Sequence, residues 1–267
     1  LLVTMTTQHL KVSVLTIVHN RRDLIGDTIR SVFDQSFPVF EYIIIDDGST
    51  DGLAEFMKEI KDPRIKYFYF DRIGVVTRLR NIAIRKASGD YLAFIDSDDL
   101  WHRDKLALHV EAAVKNDATL VLCDSQYFDA VGTHGTPLGE GMQRKDDVFW
   151  ELTERNQSLA FGSNLFFKNA PEYCFYDEKL WLGDHDFILR LSATNKAIYL
   201  DKVLNYIRRH HKNMSRSHSV LDVVCPLEYN RTLDKLLKSG TISRKKHKEI
   251  RAANYVKAGY AYFERRC

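Results

Sequence analysis

The sequence predicts an α/β protein with a mostly parallel sheet flanked by helices and a C-terminal helical extension. Short apolar, β-branched segments alternate with amphipathic segments over the first 125 residues, and this alternation is typical of right-handed βαβ units. Hydrophobic residues make up 45% of the 267 positions and charged residues 28%, the composition of a folded chain with a large core. Positions 222–264 are basic and have helical spacing.

The elements of the first half follow one another in a regular order. The segment VSVLTIV at 12–18 is apolar and β-branched, as expected of a buried parallel strand. The apolar residues of 23–35 recur at the spacing of one helix face. The same patterns predict further strands at 42–46, 65–70, 91–95 and 119–123, and further helices at 53–60, 75–87 and 103–115.

The pattern is weaker after position 125, where several glycines indicate loops. In this region we predict a strand at 164–168 and a helix that begins near Asp184. The Ser239-Gly240 pair divides the basic C-terminal segment into two helices that form a hairpin.

Composition disfavours several protein classes. The longest apolar runs are about half a dozen residues, too short for a transmembrane helix, and no basic, apolar signal peptide opens the chain. We expect Met5 to be the natural start and 1–4 to be a remnant. The cysteines are widely spaced and form no CxxC pair, which disfavours a zinc ribbon or disulfide scaffold and favours the cytoplasm. They are Cys123, Cys174, Cys225 and Cys267.

Charge is distributed unevenly along the chain, whose formal net charge is +3. Residues 231–267 contain eleven Lys and Arg against three Asp and Glu, a local charge of +8, so the preceding part sums to −5. This basic tail indicates an anionic partner, with solvated lysines on a packed helical pair as the alternative. We predict an α/β domain over 11–216 and a basic helical extension over 217–267.

Two acidic clusters follow predicted strands: Asp46-Asp47 ends the second strand, and Asp96–Asp99 follows the strand at 91–95. Ligands of open α/β sheets bind beyond the carboxyl ends of the strands. Crowded carboxylates repel one another unless a cation or hydrogen-bond donors offset the charge, and hard oxygen ligands suit Mg²⁺ or Mn²⁺. The clusters therefore predict a divalent metal site next to a phosphate, with helix capping as the simpler alternative.

Other nucleotide and sugar sites are poorly supported. The first strand is followed by no GxGxxG, which disfavours a dinucleotide fold, and the sequence has no GxxxxGK(S/T) of a P-loop NTPase. Paired carboxylates also serve glycosidases. However, glycosidase carboxylates need not sit in adjacent pairs at strand ends, and the chain is too short for a barrel of eight βα units.

Five segments together carry a family resemblance. They occur in the expected order over roughly 11–216 and are VSVLTIVHNRRDLIGDTIRSVFDQSF, YIIIDDGSTDG, LRNIAIRKASGDYLAFIDSDDLW, WLGDHDFILRL and YIRRHHKNMS. The chain resembles the inverting glycosyltransferases of family 2, which have the GT-A fold of nucleotide-diphospho-sugar transferases. The resemblance implies a Rossmann-like GT-A sheet with a nucleotide half over 11–125 and an acceptor half over 126–216.

The resemblance implies a nucleotide-sugar site at the ends of the first strands. Asp47 would accept a hydrogen bond from the base, Asp96 would hold the ribose, and Asp99 would contact the donor sugar or support the site. Trp101 and Trp181 would stack on sugar rings or pack in the core. The implied nucleotide-sugar-binding residues are Thr16, Val18, His19, Asn20, Arg21, Asp47, Arg80, Asn81, Asp96 and Asp99.

The resemblance also implies a metal site and a general base. Asp98 and His210 would hold Mn²⁺ or Mg²⁺, with His211 as the alternative histidine. Asp184 would take the proton from the acceptor hydroxyl, and Asp186 is the alternative base. Asp184 could instead cap the helix that follows it.

The implied function is metal-dependent, inverting transfer of a sugar from a nucleoside-diphosphate donor to a hydroxyl of a saccharide or lipid-linked acceptor. A UDP-sugar is the expected donor and cell-surface polysaccharide synthesis the expected role, with no nucleic-acid partner. The enzyme would be cytoplasmic, with 231–267 in contact with the inner face of the plasma membrane or packed on the domain. Its oligomeric state is open. The alternatives are a sugar-1-phosphate nucleotidyltransferase, disfavoured because TIVHNRRDL contains no glycine, and a non-catalytic nucleotide-sugar-binding module.

Overall fold

The computed structural model describes residues 9–142, 147–154, 161–170, 175–210, 213 and 225–264. These ranges contain nine strands and eight helices. The strands are β1 (Val12–Val18), β2 (Glu41–Asp47), β3 (Ile65–Phe70), β4 (Tyr91–Phe94), β5 (Leu100–Trp101), β6 (Leu120–Phe128), β7 (Thr133–His134), β8 (Phe166–Lys168) and β9 (Ala197–Arg208). The helices are α1 (Arg22–Phe33), α2 (Leu53–Glu59), α3 (Val76–Lys86), α4 (Lys105–Asn116), α5 (Val148–Glu154), α6 (Asp184–Thr194), α7 (Cys225–Lys238) and α8 (Arg244–Glu264).

The strands form one sheet in the order β3-β2-β1-β4-β8-β6-β9-β5, with β7 paired to β6. β1 is parallel to both β2 and β4, and β2 is parallel to β3. β6 is parallel to β9, whereas β8 lies antiparallel between β4 and β6. The predicted α/β class, a mostly parallel sheet flanked by helices, is confirmed.

β2 shows how the sequence builds the sheet. All of its residues are buried. Ile43 and Ile45 pack into the apolar layer on one face, and the alternate residues Tyr42 and Ile44 pack into the layer on the other. A strand buried on both faces needs a continuous apolar run, which is the pattern that predicts it. Its parallel neighbour β1, which is also parallel to β4, places the carboxyl ends of all three strands at one edge.

β9 is the largest element that the sequence pattern does not predict. It has 12 residues, most of them exposed or half-buried, so it lacks the apolar run of a central strand. The short elements β5, β7 and α5 are also missed. β6 continues past the predicted end at 123 to Phe128, and its pairing with β9 shifts register after Cys123. The second half of the sheet is therefore less regular than the first.

The C-terminal helices pack against the α/β domain. Gly240 lies between α7 and α8 with a φ of 76°, at the predicted break of the hairpin. Tyr229 and Leu233 of α7 and Ile250 of α8 are buried in the same apolar cluster as residues of β1 and β2. Further along α8, Val256 is 57% exposed. The first half of the extension is thus part of the core of the molecule.

Several predicted features lie outside the described residues: the domain boundary at 216–217, residues 1–4, Cys174, Cys267 and His211. No helix within the described ranges is long and apolar enough to cross a membrane.

Candidate active site

The loop after β1 is tied to the loop after β2. Asn20 has a positive φ of 52°, a conformation that Asn adopts more readily than most residues. Its backbone N–H donates to the Ser49 hydroxyl at 2.9 Å, and its side-chain oxygen accepts the Thr50 N–H at 2.8 Å. Arg21, next along the chain, extends toward Asp98, with 3.5 Å between Nε and Oδ2. The two loops therefore form one connected wall.

His19 contributes a neutral ring to this wall. Burial, followed by the charge of Arg72, lowers the pKa of His19. Its Nδ1 is buried and has no hydrogen-bond partner among the described residues. A buried ring nitrogen without a hydrogen-bond partner destabilises the fold unless a ligand or water satisfies it.

Asp46 and Asp47 have different roles. Asp46 is buried and accepts hydrogen bonds from the Ser49 N–H and the Tyr67 hydroxyl, so it shapes the turn. Asp47 accepts the N–H of Ile73 at 2.6 Å and of Gly74 at 3.1 Å, and it forms an ion pair with Arg72. A carboxylate offers about four acceptor sites. A nucleotide base at Asp47 would therefore share the carboxylate with the segment 72–74.

The side chains of Thr16 and Val18 lie in the core. The Thr16 hydroxyl donates to the Ile95 carbonyl at 2.8 Å and lies 2.9 Å from the Tyr42 hydroxyl. Val18 is 1% exposed and packs in the apolar layer beside α1. Alternation along a strand sends these two residues to the same face, and in β1 that face is covered.

The carboxylates after β4 differ in exposure. The side chain of Asp96 is 50% exposed, that of Asp98 is 13% exposed, and Asp99 is 2% exposed. Burial, followed by the charges of Asp96 and Asp98, raises the pKa of Asp99 well above its usual value. A cation beside these carboxylates would offset the cost of keeping them ionised.

Ser163 organises this acidic loop, and no sequence pattern predicts this role. It lies in a one-turn 3₁₀ helix, Gly162–Asn164. Its hydroxyl accepts the Asp96 N–H at 2.8 Å and donates to Asp99 Oδ2 at 2.7 Å. The other oxygen of Asp99 accepts the Arg208 N–H at 3.0 Å. Both carboxylate oxygens of Asp99 are therefore engaged by groups of the protein itself.

Asp98 and His210 are brought together from distant parts of the chain. His210 Nε2 lies 2.8 Å from Asp98 Oδ2. The described residues contain no group of three or more His, Cys, Asp or Glu that could hold a metal. However, Mg²⁺ usually keeps water and substrate oxygens as ligands, and one carboxylate with one imidazole fits a site completed by a diphosphate. The donor set thus fits a divalent cation.

Arg208 anchors the end of β9 beside this pair. Its guanidinium donates to the Asp98 carbonyl at 2.8 Å and to Asp27 at 2.9 Å. Asn213 donates to the Arg208 carbonyl at 2.9 Å and accepts the His210 N–H at 2.5 Å. The segment that carries His210 is therefore fixed on both sides.

Arg80 joins the acidic loop to the start of α6. Its side chain is 7% exposed, contacts Asp184 in an ion pair and lies 3.7 Å from Asp96. The Tyr176 hydroxyl lies 3.3 Å from the same oxygen of Asp184, Oδ1. Burial raises the pKa of Tyr176 to about 12, so its hydroxyl stays protonated and donates. The contacts of Asp184 within the described part of the chain all reach Oδ1.

Two glycines make room for this arrangement. A Cβ at Gly162 would lie 2.3 Å from Arg80 Nη2, and a Cβ at Gly183 would lie 2.5 Å from Thr77 Cγ2. Gly183 also has a φ of 69° and is the N-cap residue of α6, so the alternative in which Asp184 caps the helix is wrong. Asp184 is the first residue of α6.

Asn81 and Asp186 are buried away from these groups. The Asn81 amide donates to the Tyr176 carbonyl at 3.0 Å and accepts the Tyr176 N–H at 2.8 Å. Asp186 is 1% exposed and accepts from Arg190 at 2.8 Å and Lys235 at 2.6 Å. The side chain of Asn81 therefore holds the loop at Tyr176, and Asp186 is committed to ion pairs.

The two tryptophans differ in exposure. Trp101 is 5% exposed and packs in the core, whereas Trp181 is 36% exposed. Only the second of this pair can stack on a sugar.

A family model described as glycosyl transferase family 2 matches residues 13–174. The chain is 34% identical over 151 residues to the Bacillus subtilis protein named "Putative teichuronic acid biosynthesis glycosyltransferase TuaG", covering 56% of this chain and 59% of that protein. It is 32% identical over 110 residues to the Escherichia coli UDP-Glc:alpha-D-GlcNAc-diphosphoundecaprenol beta-1,3-glucosyltransferase WfgD, covering 41% of this chain and 44% of that one. The chain thus spans 59% or less of these relatives' lengths.

Solved structures share the fold. The Staphylococcus aureus TarS fragment 1-349 in complex with UDP aligns with a TM-score of 0.68 at 18% identity, over 92% of this chain and 70% of that one. The mannosyltransferase PcManGT from Pyrobaculum calidifontis, in complex with GDP-Man and Mn²⁺, aligns with a TM-score of 0.64 at 19% identity, over 93% and 70%. Both likenesses concern the GT-A fold.

Proposed function

Since the chain belongs to glycosyl transferase family 2, we propose that it transfers a sugar from a nucleoside-diphosphate donor to a hydroxyl of a saccharide or lipid-linked acceptor. The observation that carries the proposal is the buried Arg80 guanidinium, which contacts Asp184 and lies 3.7 Å from Asp96. The Arg80 guanidinium thereby holds together Asp96, on the donor side, and Asp184, the candidate base. Neither alternative function, a nucleotidyltransferase or a non-catalytic binding module, is supported by a family match of this kind.

The proposed donor is a UDP-sugar. The E. coli relative is named for UDP-Glc, and the TarS structures contain UDP and UDP-GlcNAc. In this assignment His19, Asn20 and Asp47 surround the base, and Asp96 holds the ribose. Trp181, which precedes α6 and is 36% exposed, suits an acceptor sugar, since aromatic faces pack against sugar rings.

A divalent cation is proposed at Asp98 and His210. When bound, Mn²⁺ or Mg²⁺ would supply stabilisation of the negative charge on the departing diphosphate. Arg21, 3.5 Å from Asp98, would add a second positive charge at the same place. These residues would thus hold the leaving group.

Asp184 is the proposed general base. In a single displacement the acceptor oxygen attacks the anomeric carbon, the bond from that carbon to the diphosphate oxygen breaks, and Asp184 takes the hydroxyl proton. Arg80 and Tyr176 hold Oδ1, and in this assignment Oδ2 is the oxygen that takes the proton. One displacement from the opposite face inverts the anomeric configuration, which is the proposed stereochemistry.

A panel of nucleotides tests the donor assignment. UDP with Mn²⁺ should raise the melting temperature more than GDP, CDP or dTDP, because a ligand that binds only the folded state adds about 2.7 kcal/mol at 100 times its Kd. The measurement is thermal unfolding with each nucleotide, with and without Mn²⁺. A larger shift with another nucleotide would assign the donor to that base, and no shift with any of them would refute nucleotide-sugar binding.

We further propose that the extension contacts the anionic inner face of the membrane, where a lipid-linked acceptor would lie. The basic residues that stay exposed while the apolar face packs on the domain are Arg231, Lys238, Arg244, Lys245 and Lys248. Tyr255 and Val256 are 52% and 57% exposed on α8. Each basic residue near an anionic leaflet contributes about 1 kcal/mol, so this surface can hold the protein at a membrane.

Vesicle binding tests this surface. The full chain should pellet with phosphatidylserine vesicles at low salt and be released at high salt, because the Debye length falls to about 3 Å at 1 M. Lys245→Glu combined with Lys248→Glu should weaken binding at least about tenfold. Lys58→Glu combined with Lys61→Glu, at exposed positions on and beside α2, makes the same charge change and should bind like the parent. Equal loss in both double variants would show that only net charge matters.

A further inference from the structure

We propose that Glu228, in the helical extension, is a positioning residue for the general base, an inference that rests on the proposed function. Glu228 lies on α7 and is 7% exposed. Its carboxylate accepts hydrogen bonds from three consecutive backbone N–H groups, those of Trp181, Leu182 and Gly183. These residues immediately precede Asp184. The extension therefore holds the segment that presents the base.

The bonded segment has little regular structure of its own. It lies before α6, and Gly183 has a positive φ of 69°. Three successive N–H groups that point to one side make a concave site for an anion. A buried carboxylate is the group that satisfies them, and hydrogen bonds to a charged acceptor are stronger than those between neutral groups. Their N–H groups would be left unsatisfied if the carboxylate were removed.

Two carbonyls in and beside this segment are held by α3. The Thr77 hydroxyl donates to the Leu180 carbonyl at 2.7 Å, and Arg80 Nη1 lies 3.4 Å from the Leu182 carbonyl. The loop is thus clamped between Glu228 on its N–H side and α3 on its carbonyl side. Because Arg80 also contacts Asp184, a shift of this loop changes the distance between the base and its guanidinium partner.

A second contact between the extension and α6 has a different role. Lys235 of α7 forms ion pairs with Asp186 at 2.6 Å and with Asp177 at 2.7 Å. These pairs hold the preceding loop and α6 to α7 on both sides of Asp184 in the sequence. Among the contacts of the described residues, it is Glu228 that bonds the amides immediately before the base, so its removal should affect turnover as well as stability.

Glu228→Gln tests the inference, because the amide keeps the size of the side chain but turns one acceptor oxygen into a donor that opposes the N–H groups. Asp234→Asn is the matched control, since Asp234 is on the same helix and pairs with His247 and Arg251 at 2.8 and 3.1 Å. We expect kcat to fall at least about tenfold in Glu228→Gln, as small displacements of catalytic groups cost up to about 100-fold. KM for the donor and the Kd of UDP with Mn²⁺ should stay within about twofold.

Amide hydrogen exchange supplies a readout that is independent of activity. Exchange at Trp181, Leu182 and Gly183 should be at least about tenfold faster in Glu228→Gln and unchanged in Asp234→Asn. Glu228→Asp keeps the charge on a shorter side chain and should recover part of both kcat and protection. If Glu228→Gln does not fold, Glu228→Asp becomes the test variant for kcat and for exchange.

The outcomes separate this inference from the proposed function. Unchanged exchange at 181–183, or faster exchange with parental kcat, would overturn the positioning role. An equal loss of kcat in Asp234→Asn would overturn it as well, because the effect would then be general destabilisation. A parent chain without transferase activity on any donor would overturn the proposed function and the catalytic consequence, whereas the exchange result would still decide whether Glu228 holds the loop.

Discussion

Asp184→Asn should lower kcat for sugar transfer by about 10²–10⁴-fold, the usual contribution of a general base. The amide cannot take the proton of the acceptor hydroxyl, whereas the nucleotide contacts lie elsewhere. The Kd of UDP should therefore change little. Arg80 keeps Asp96 at 3.7 Å as a second carboxylate, so the variant should fold. Turnover and nucleotide binding should be measured on the same preparation.

The control for this variant is Asp186→Asn. Asp186 is buried, whereas its partners Arg190 and Lys235 are 32% and 34% exposed, so removing its charge destabilises the fold while water solvates the two cations in part. We expect a lower melting temperature with kcat near that of the parent at a temperature where the variant is folded. Parental activity of Asp184→Asn, or a collapse of kcat in Asp186→Asn alone, would move the role of the base to Asp186.

Asp98→Asn should abolish the Mn²⁺-dependent part of nucleotide binding and reduce transfer by orders of magnitude. The amide supplies no negative charge to hold the cation, so the charge of the departing diphosphate is stabilised less. Arg21 and His210 remain, and they should sustain weak binding that no longer responds to metal. The measurement is the Kd of UDP by calorimetry, with Mn²⁺ and with a chelator.

Asp104→Asn provides the matched control for the metal site. Asp104 lies further along the chain, after β5, and its carboxylate accepts the Ser36 hydroxyl at 2.8 Å. It should bind UDP and Mn²⁺ as the parent does. If Asp98→Asn also keeps the parental response to Mn²⁺, the assignment of Asp98 as a metal ligand is wrong.

The first half of the fold is predictable because its elements depend on local pattern. β2 is a continuous apolar run that is buried on both faces, and α3 alternates apolar and basic residues with helical spacing. The same locality places the carboxylates after β2 and β4 at one edge of the sheet. β9 escapes prediction because its partners are distant in sequence and most of its side chains are partly exposed.

The supporting contacts of the site could not be predicted for a different reason. Ser163 and Glu228 accept hydrogen bonds from backbone N–H groups. Every residue except proline carries such a group, so no pattern in the segment that donates them identifies the acceptor. The directions of the Thr16 and Val18 side chains could not be predicted either. Both residues belong to a segment that leads into the site, but the face of β1 to which they point is covered by the core. Position in a motif does not determine the direction of a side chain.

The antiparallel strand β8 has a consequence for the order of folding. β8 fills the gap between β4 and β6 and pairs with both, although it comes after them in the chain. Until Phe166–Lys168 arrives, the nascent sheet ends at an open β4 edge, and unpaired strand edges favour association between chains. Residues 11–125 are therefore not a unit that can complete its sheet alone. During synthesis, β8 must therefore leave the ribosome before the two halves of the sheet can join.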